Sequence, residues 1–312
     1  MRAGPSPLPA APAAFCTASA CRFLLRAQDA DGAWRDFQLP PGRSEAWTTA
    51  YVGACLVQAR ERGAAADMEA SLRAAVRFLE AARKPGGWSY NRSVEADGDS
   101  SARVILFLNR CGASPDRKAY ADLVKFQLPD GHFATYLDRG LRRGWAKGHP
   151  DVTAVAMQAL GAVLPAAHPI LARAAQALRL HGRGPHGAAS YWWASDLYLA
   201  RELWALERAY PGAPRLALPA PRGSGPRTFF DRGLALALSA RDGQAGGFLK
   251  EAILSLERSQ LDDGSWPSAP ILRLTDPAAE DFDDHRFKNS PLFADVRRIF
   301  TTATVLGGLT SD

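Results

Sequence analysis

Two kinds of apolar segment alternate along the chain. One is amphipathic and runs into a turn built from Asp or Pro, then Gly, then an aromatic residue. It is read in Phe23 to Trp34 (FLLRAQDADGAW), Phe78 to Trp88 (FLEAARKPGGW), Leu123 to Phe133 (LVKFQLPDGHF) and Leu254 to Trp266 (LSLERSQLDDGSW). The pattern predicts a helix with one buried face. The glycine predicts its stop, because only glycine enters the left-handed conformation cheaply. The other kind is apolar nearly all round and opens on a hydroxyl residue followed by alanine: Thr49-Ala50, Ser101-Ala102, Thr153-Ala154 and Thr302-Ala303. The steps from Thr49 to Ser101 and from Ser101 to Thr153 are both 52 residues. One supersecondary unit repeated at a fixed period stacks into an array.

Helices that alternate between amphipathic and nearly all-apolar are what two concentric rings require, since an inner helix is covered outside and faces a closed interior. The predicted architecture is all-α, an (α/α)6 toroid of inner and outer helices. One hairpin is degenerate: between residues 168 and 208 the stretch HGAASYWWASDLYLARELW supplies a helix without a clear glycine turn. Residues 211 to 226 (PGAPRLALPAPRGSGP) read as a loop where an outer helix belongs. Period-two alternation is almost absent, which disfavours a strand-rich fold.

With 312 residues, one domain buries enough surface to need neither metal nor disulfide. Residues 1–15 read as a disordered lead-in rich in Pro and Ala, and residues 16–312 as a single toroid domain. The lead-in lacks the continuous apolar core of a secretory signal, which leaves a cytoplasmic location as the expectation. No apolar run approaches the roughly 18 residues a spanning helix needs. Cys16, Cys21, Cys55 and Cys111 have no zinc-like spacing and read as reduced, mostly buried thiols. The net charge of +6 would suit an anionic ligand or peripheral docking on an anionic membrane. Arginine is spread along the chain and forms no basic block, which speaks against a nucleic-acid partner.

The glutamine-to-aromatic turns, with Gln28 and Trp34 or Gln260 and Trp266, resemble the QW repeats of squalene-hopene cyclases and related class II terpene cyclases. Asp97 to Ala102 (DGDSSA) is similar to the DxDDTA motif of that family, and Asp151 to Ala154 (DVTA) to its second acidic segment, DVTAH. Ser100 stands where the family has a third Asp, and Val155 where it has His. The resemblance covers most of the chain, at the length of one toroid rather than two. It implies protonation-initiated cyclisation of a linear isoprenoid-bearing small molecule, through carbocations and without a cofactor.

By its place in the motif Asp99 is then the proton donor. Asp97 and Asp151 would orient it and accept hydrogen bonds, and Ser100 would be a neutral donor replacing the lost carboxylate. Such an acid must keep its proton in a dry cavity, and burial raises its pKa to that end, while the helix N-terminus steadies the carboxylate left behind. The same segment also suits plain helix capping, for which Asp and Ser are preferred. A carbocation is held by aromatic faces, at about 1 to 2 kcal/mol each when desolvated. Trp47, Trp192, Trp193 and Phe300, with Tyr90, Trp145 and Tyr198, are the candidates. Trp34, Trp88 and Trp266 occupy repeat turns and are expected only to pack.

The run Glu280, Asp281, Asp283 and Asp284 would hold magnesium only if the substrate carries a diphosphate, with Arg297 and Arg298 as phosphate ligands; otherwise it is a solvated acidic loop. Two other readings stand beside the cyclase. A prenyltransferase-like enzyme would need a zinc site of Asp, Cys and His, and residues 283 to 304 offer His285 but no Cys. A non-catalytic toroid would bind a lipid or a partner protein in its cavity. A structure separates these by what lines the cavity.

Overall fold

The structure is a computed structural model that describes residues 11–137, 140, 143–183, 186, 189–210, 227–239 and 247–311. Its helices are α1 (Ala11–Ala27), α2 (Ala46–Glu61), α3 (Glu69–Ala81), α4 (Gly98–Arg110), α5 (Arg117–Val124), α6 (Pro150–Gly161), α7 (Pro169–Gly182), α8 (Asp196–Ala209), α9 (Phe229–Ser239), α10 (Gly247–Arg258), the one-turn α11 (His285–Lys288) and α12 (Ile299–Leu309). Three two-stranded antiparallel ribbons interrupt them: β1 (Gln38–Leu39) with β2 (Gly42–Arg43), β3 (Phe133–Ala134) with β4 (Gly148–His149), and β5 (Pro270–Arg273) with β6 (Leu292–Ala294). Phe133 lies opposite His149, and the last ribbon carries an irregularity between Pro270 and Leu272.

Among the described residues, α2, α4, α6, α8, α9 and α12 pack in that order, and α12 returns to α2 and closes an inner ring. Each outer helix covers a neighbour in this ring: α1 lies on α12 and α2, α3 on α2, α5 on α4, α7 on α6, and α10 on α9 and α1. Between α8 and α9 no outer helix is described, and residues 211–226, read from sequence as a loop, lie outside the described residues. The toroid predicted from the repeat is therefore the observed fold, and the stretch read as degenerate, residues 168 to 208, supplies both α7 and α8. The two helix types differ as the patterns required. Outer α3 buries Leu72, Ala75 and Leu79 along one stripe, whereas α12 buries every residue from Ile299 to Gly308. Residues 1–10 of the expected lead-in lie outside the described residues, and α1 already begins at Ala11. None of the described helices is long and apolar enough to cross a membrane.

The repeat turn works by hydrogen bonds that tie three elements together. The hydroxyl that opens each inner helix accepts from the backbone N–H of the turn aromatic: Thr49 Oγ1 from Trp34, Ser101 Oγ from Trp88, Thr153 Oγ1 from Phe133 and Thr302 Oγ1 from Trp266, at 2.9 to 3.2 Å. The indole N–H of Trp34, Trp88 and Trp266 donates back into the preceding outer helix, to the carbonyls of Leu24, Leu79 and Leu256. The turn glutamines reach onward. Gln28 donates to Ser71 O on α3, Gln127 to Ile170 O on α7, and Gln260 to Cys16 O on α1, so the last bond joins the final hairpin to the first. The turn glycine is required twice over at Gly264. Its φ is +89°, and a Cβ there would sit 2.4 Å from Ser19 O.

The inner helices run in one direction: residues at their starts (Trp47, Asp99, Phe230 and Phe300) gather around one cavity and its ring stack, and residues at their ends (Arg62, Arg110, Gly161, Arg208 and Thr310) line a second pocket. Their N-termini, and the positive ends of their dipoles, therefore gather at one end of the ring. The three ribbons and the loops before the inner helices cap that end. The cysteines are free, with Cys16, Cys21 and Cys55 buried, and burial pushes the Cys21 thiol up to about 12.

Candidate active site

At the capped end lies a cavity of about 200 Å³, walled by aromatic and aliphatic side chains and entered by one unpartnered carboxyl group. Trp47, at the start of α2, Tyr90, Trp145, Trp192 and Trp193 all line it, together with Tyr136 from the loop after β3. Leu272 and Leu274 close it from the β5 side, and Leu39, Pro40 and Pro41 from the β1–β2 turn. The wall is rigid for identifiable reasons. Trp192 donates its indole N–H to Thr135 Oγ1 at 2.9 Å, Trp145 to Thr275 Oγ1 at 2.8 Å, and the Tyr90 hydroxyl to Phe37 O at 3.0 Å.

Behind the wall is a stack of rings. Phe300 lies flat on Trp193, with centroids 5.1 Å apart and planes 9° apart, and packs against Trp47 and Tyr51 as well. Tyr198 stacks on the other flank of Trp193 at 4.3 Å. Phe300 and Tyr198, expected in the wall, thus stand one layer behind it. Phe300 is 0% and Tyr198 1% exposed, and both serve to hold Trp193. Their place at inner-helix starts was readable, but the face each presents depends on the neighbouring hairpins.

The acidic segment divides its labour differently from the expectation. Asp97 is the N-cap of α4: one carboxylate oxygen accepts from Ser100 N at 2.7 Å, the other from Ser100 Oγ at 2.7 Å and Tyr90 N at 3.0 Å. Ser100 therefore serves Asp97 and not Asp99. Burial raises Asp97 to about 6, and these hydrogen bonds hold it from rising further. Asp151, at the start of α6, accepts from Ser190 Oγ at 2.7 Å and from Trp192 N. It orients the Trp192 wall instead of contacting the acid, and burial raises its pKa as well.

Asp99 has no hydrogen-bond partner among the described residues, and it faces the cavity from the first turn of α4, two residues after the cap. Burial lifts it to about 7; the Arg103 charge pulls it down, while Asp97, Asp151 and Glu202 push it up. A raised carboxyl group of this kind is able to carry its proton near neutral pH, at the positive end of α4.

Sequence reasoning missed what supports Asp99 from behind. Arg103, one turn along α4, places one nitrogen 3.2 Å from Glu202 and donates another to the Tyr198 hydroxyl at 2.8 Å, while its Nε has no partner. Glu202 is also paired with Arg201 at 2.6 Å, and the two arginines hold it down at about 2. The spacing of Asp99 and Arg103 was visible as a four-residue step; the partner on α8 was not.

The acidic run 280–284 stands outside the cavity. Glu280 faces Arg143 and Lys147, Asp283 faces His186 and Lys288, and Asp284 caps α11 and pairs with Arg286 at 2.5 Å. Asp281 accepts the backbone N–H groups of Asp283 and Asp284. Its carboxylates thus point at separate cations and amides, and no group of three potential metal ligands occurs among the described residues. Arg297 and Arg298 pair with Asp29 and Asp263, joining loops of adjacent hairpins.

No protein-family model and no curated protein sequence matches the chain. Solved structures do. The type II terpene cyclase MstE from Scytonema, without ligand, is 24% identical with a TM-score of 0.72, over 96% of this chain and 98% of that one. A variant of MstE in complex with geranylgeranyl dihydroxybenzoate, its substrate, is 25% identical with a TM-score of 0.73, over 96% of both chains. This is a class II terpene cyclase-like fold. A protein of known structure from Actinoplanes is 27% identical with a TM-score of 0.74, over 95% of this chain and 98% of that one. The bare toroid is more widely shared. An α-1,6-mannanase from Salegentibacter reaches a TM-score of 0.57 at 9% identity over 96% of this chain and 99% of that one, so the chemistry must be argued from the cavity.

Proposed function

We propose that the chain is a class II terpene cyclase in which Asp99 protonates a linear, isoprenoid-bearing small molecule and the aromatic cavity guides the cations that follow. The observation that carries this reading is Asp99 itself: a carboxyl group raised to about 7 by burial, without a hydrogen bond, facing a cavity walled by Trp47, Trp192, Trp193, Tyr90 and Trp145. A non-catalytic toroid has no use for an acid kept unpaired in such a place.

The steps follow from the geometry. The Asp99 hydroxyl gives its proton to a terminal alkene or epoxide. For an alkene, the π pair forms the new C–H bond and leaves a cation on the adjacent carbon. Internal alkenes then attack in turn, forming C–C bonds, and loss of a proton ends the cascade, so product and substrate have the same mass. The carboxylate left on Asp99 is steadied by the Arg103 charge and the N-terminus of α4. The rings supply quadrupole stabilisation without a nucleophile. The reaction is an isomerisation with no net change of oxidation state.

The likeness to MstE supports a prenylated substrate, and a geranylgeranylated dihydroxybenzoic acid is the first to try. Incubation should give a cyclised product of unchanged mass, absent with the Asp99→Asn variant. Recovery of the linear compound from wild-type protein, across prenyl alcohols, diphosphates and aryl-prenyl compounds alike, would overturn the proposal.

A further inference from the structure

The cavity wall carries a cation that the cyclisation does not use. Arg273, on β5, lines the cavity between Leu272 and Leu274 and is the one basic residue among the described residues of its wall. Its backbone N–H donates to Trp192 O at 2.7 Å, which fixes its place beside the Trp192 wall. Its side chain makes no hydrogen bond or ion pair among the described residues, and Nε is shielded without a partner. The guanidinium instead lies over the Phe287 ring, 4.7 Å from the centroid. The Asp196 carboxylate acts on it at longer range, and burial disfavours its charge.

Arg273 is half-buried, but buried donors are normally satisfied, so its shielded, unpartnered Nε at a ligand cavity points to a ligand atom as the missing partner. A bare cation in the wall would also repel every carbocation formed in the cavity. An anion that neutralises it removes this penalty and fixes the register of the prenyl chain against Asp99. Arginine presents a planar fork that matches one carboxylate with two parallel bonds, and stacking on Phe287 holds that plane. A diphosphate carries more charge than one guanidinium balances, and no second cation lines the wall among the described residues.

We infer that Arg273 is the anchor for a carboxylate on the head of the substrate, so that this enzyme takes prenylated carboxylic acids rather than neutral prenyl compounds. The inference rests on the cyclase reading above. Its site, the β5 side of the cavity, is distinct from the acid that reading needs.

The test is a binding titration, followed by quenching of tryptophan fluorescence, with geranylgeranylated dihydroxybenzoic acid, its methyl ester and geranylgeranyl diphosphate. Wild-type protein should bind the acid about 10- to 100-fold more tightly than the ester, the range of a charge-assisted pair. Arg273→Gln should bind the two alike, and Arg273→Lys should keep part of the preference. Equal wild-type affinity for acid and ester overturns the inference, even if Arg273→Gln fails to fold. A preference that survives in folded Arg273→Gln overturns it too, as does tighter binding of the diphosphate that is lost in that variant. Because the readout is binding, an acid preference without any cyclised product would count against the cyclase reading and leave the anchor standing.

Discussion

Replacing Asp99 by Asn should abolish cyclisation and stabilise the fold, a combination that a purely structural aspartate would not give. Asn keeps the shape and removes both the transferable proton and the charge. The folded-state value of about 7 against an ordinary 3.8 means that the native environment disfavours the carboxylate by about 4 kcal/mol, at roughly 1.4 kcal/mol per pKa unit. The sign is fixed by linkage. Below 3.8 the group is protonated folded or unfolded and costs nothing. Between 3.8 and 7 the unfolded chain sheds its proton while the folded one keeps it, so wild-type stability falls with rising pH; above 7 the full cost is present. Asp36 and Asp295, also raised by burial, add the same slope in both proteins, and so does Asp97 apart from its mutual repulsion with Asp99. The difference between Asn and wild type therefore reports position 99 together with that repulsion. Urea unfolding at pH 4, 6 and 8 should show no advantage for the variant at pH 4, and one growing toward about 4 kcal/mol at pH 8. Product formation measured alongside should vanish. An advantage that does not change with pH would refute the buried, raised carboxyl, and cyclisation at the wild-type rate would refute its role as the acid.

Three further outcomes follow from the same structure. The rate of cyclisation should fall tenfold per pH unit above about 7, as Asp99 loses its proton, and a flat profile from pH 6 to 9 would contradict the acid assignment. Arg103→Met removes one of the two arginines facing buried Glu202 and should cost about 3 to 5 kcal/mol in urea unfolding. Arg103→Met combined with Glu202→Gln should recover part of that loss. Gly264→Ala meets both a positive φ and Ser19 O at 2.4 Å, and should lower stability well beyond Gly63→Ala. At Gly63 the φ is +75° and nothing stands within 4 Å of a Cβ, so only the left-handed penalty of about 1 to 2 kcal/mol applies. Equal melting temperatures for the two variants would contradict the ring-closing contact.

The fold was legible because a closed array repeats its signals. Each hairpin needs one amphipathic and one all-apolar helix, a glycine that turns between them and a hydroxyl that receives the turn. Thr49, Ser101, Thr153 and Thr302 mark those starts in the sequence. Trp34, Trp88 and Trp266 behaved as packing residues for the same reason: their indole N–H groups are spent within their own hairpins. The cavity was legible only in part. Trp47, Trp192, Trp193, Tyr90 and Trp145 reach it, whereas Phe300 and Tyr198 stop a layer short, a distinction set by ring-to-ring stacking across three hairpins.

The sequence by itself determined the toroid and its turns and marked the acidic segment at the start of α4, because these depend on local spacing and on turn chemistry repeated along the chain. Only the tertiary structure decided which carboxylate is free. Asp97, Asp99 and Asp151 look alike in sequence, yet Ser100 and Tyr90 occupy the first, Ser190 and Trp192 occupy the third, and no described residue occupies Asp99. Arg273 lies in an irregular stretch that no period marks, and the fold alone brings it to the cavity and leaves it unpaired. A hydrogen bond withheld is a property of three-dimensional neighbours, and no pattern along one chain encodes it.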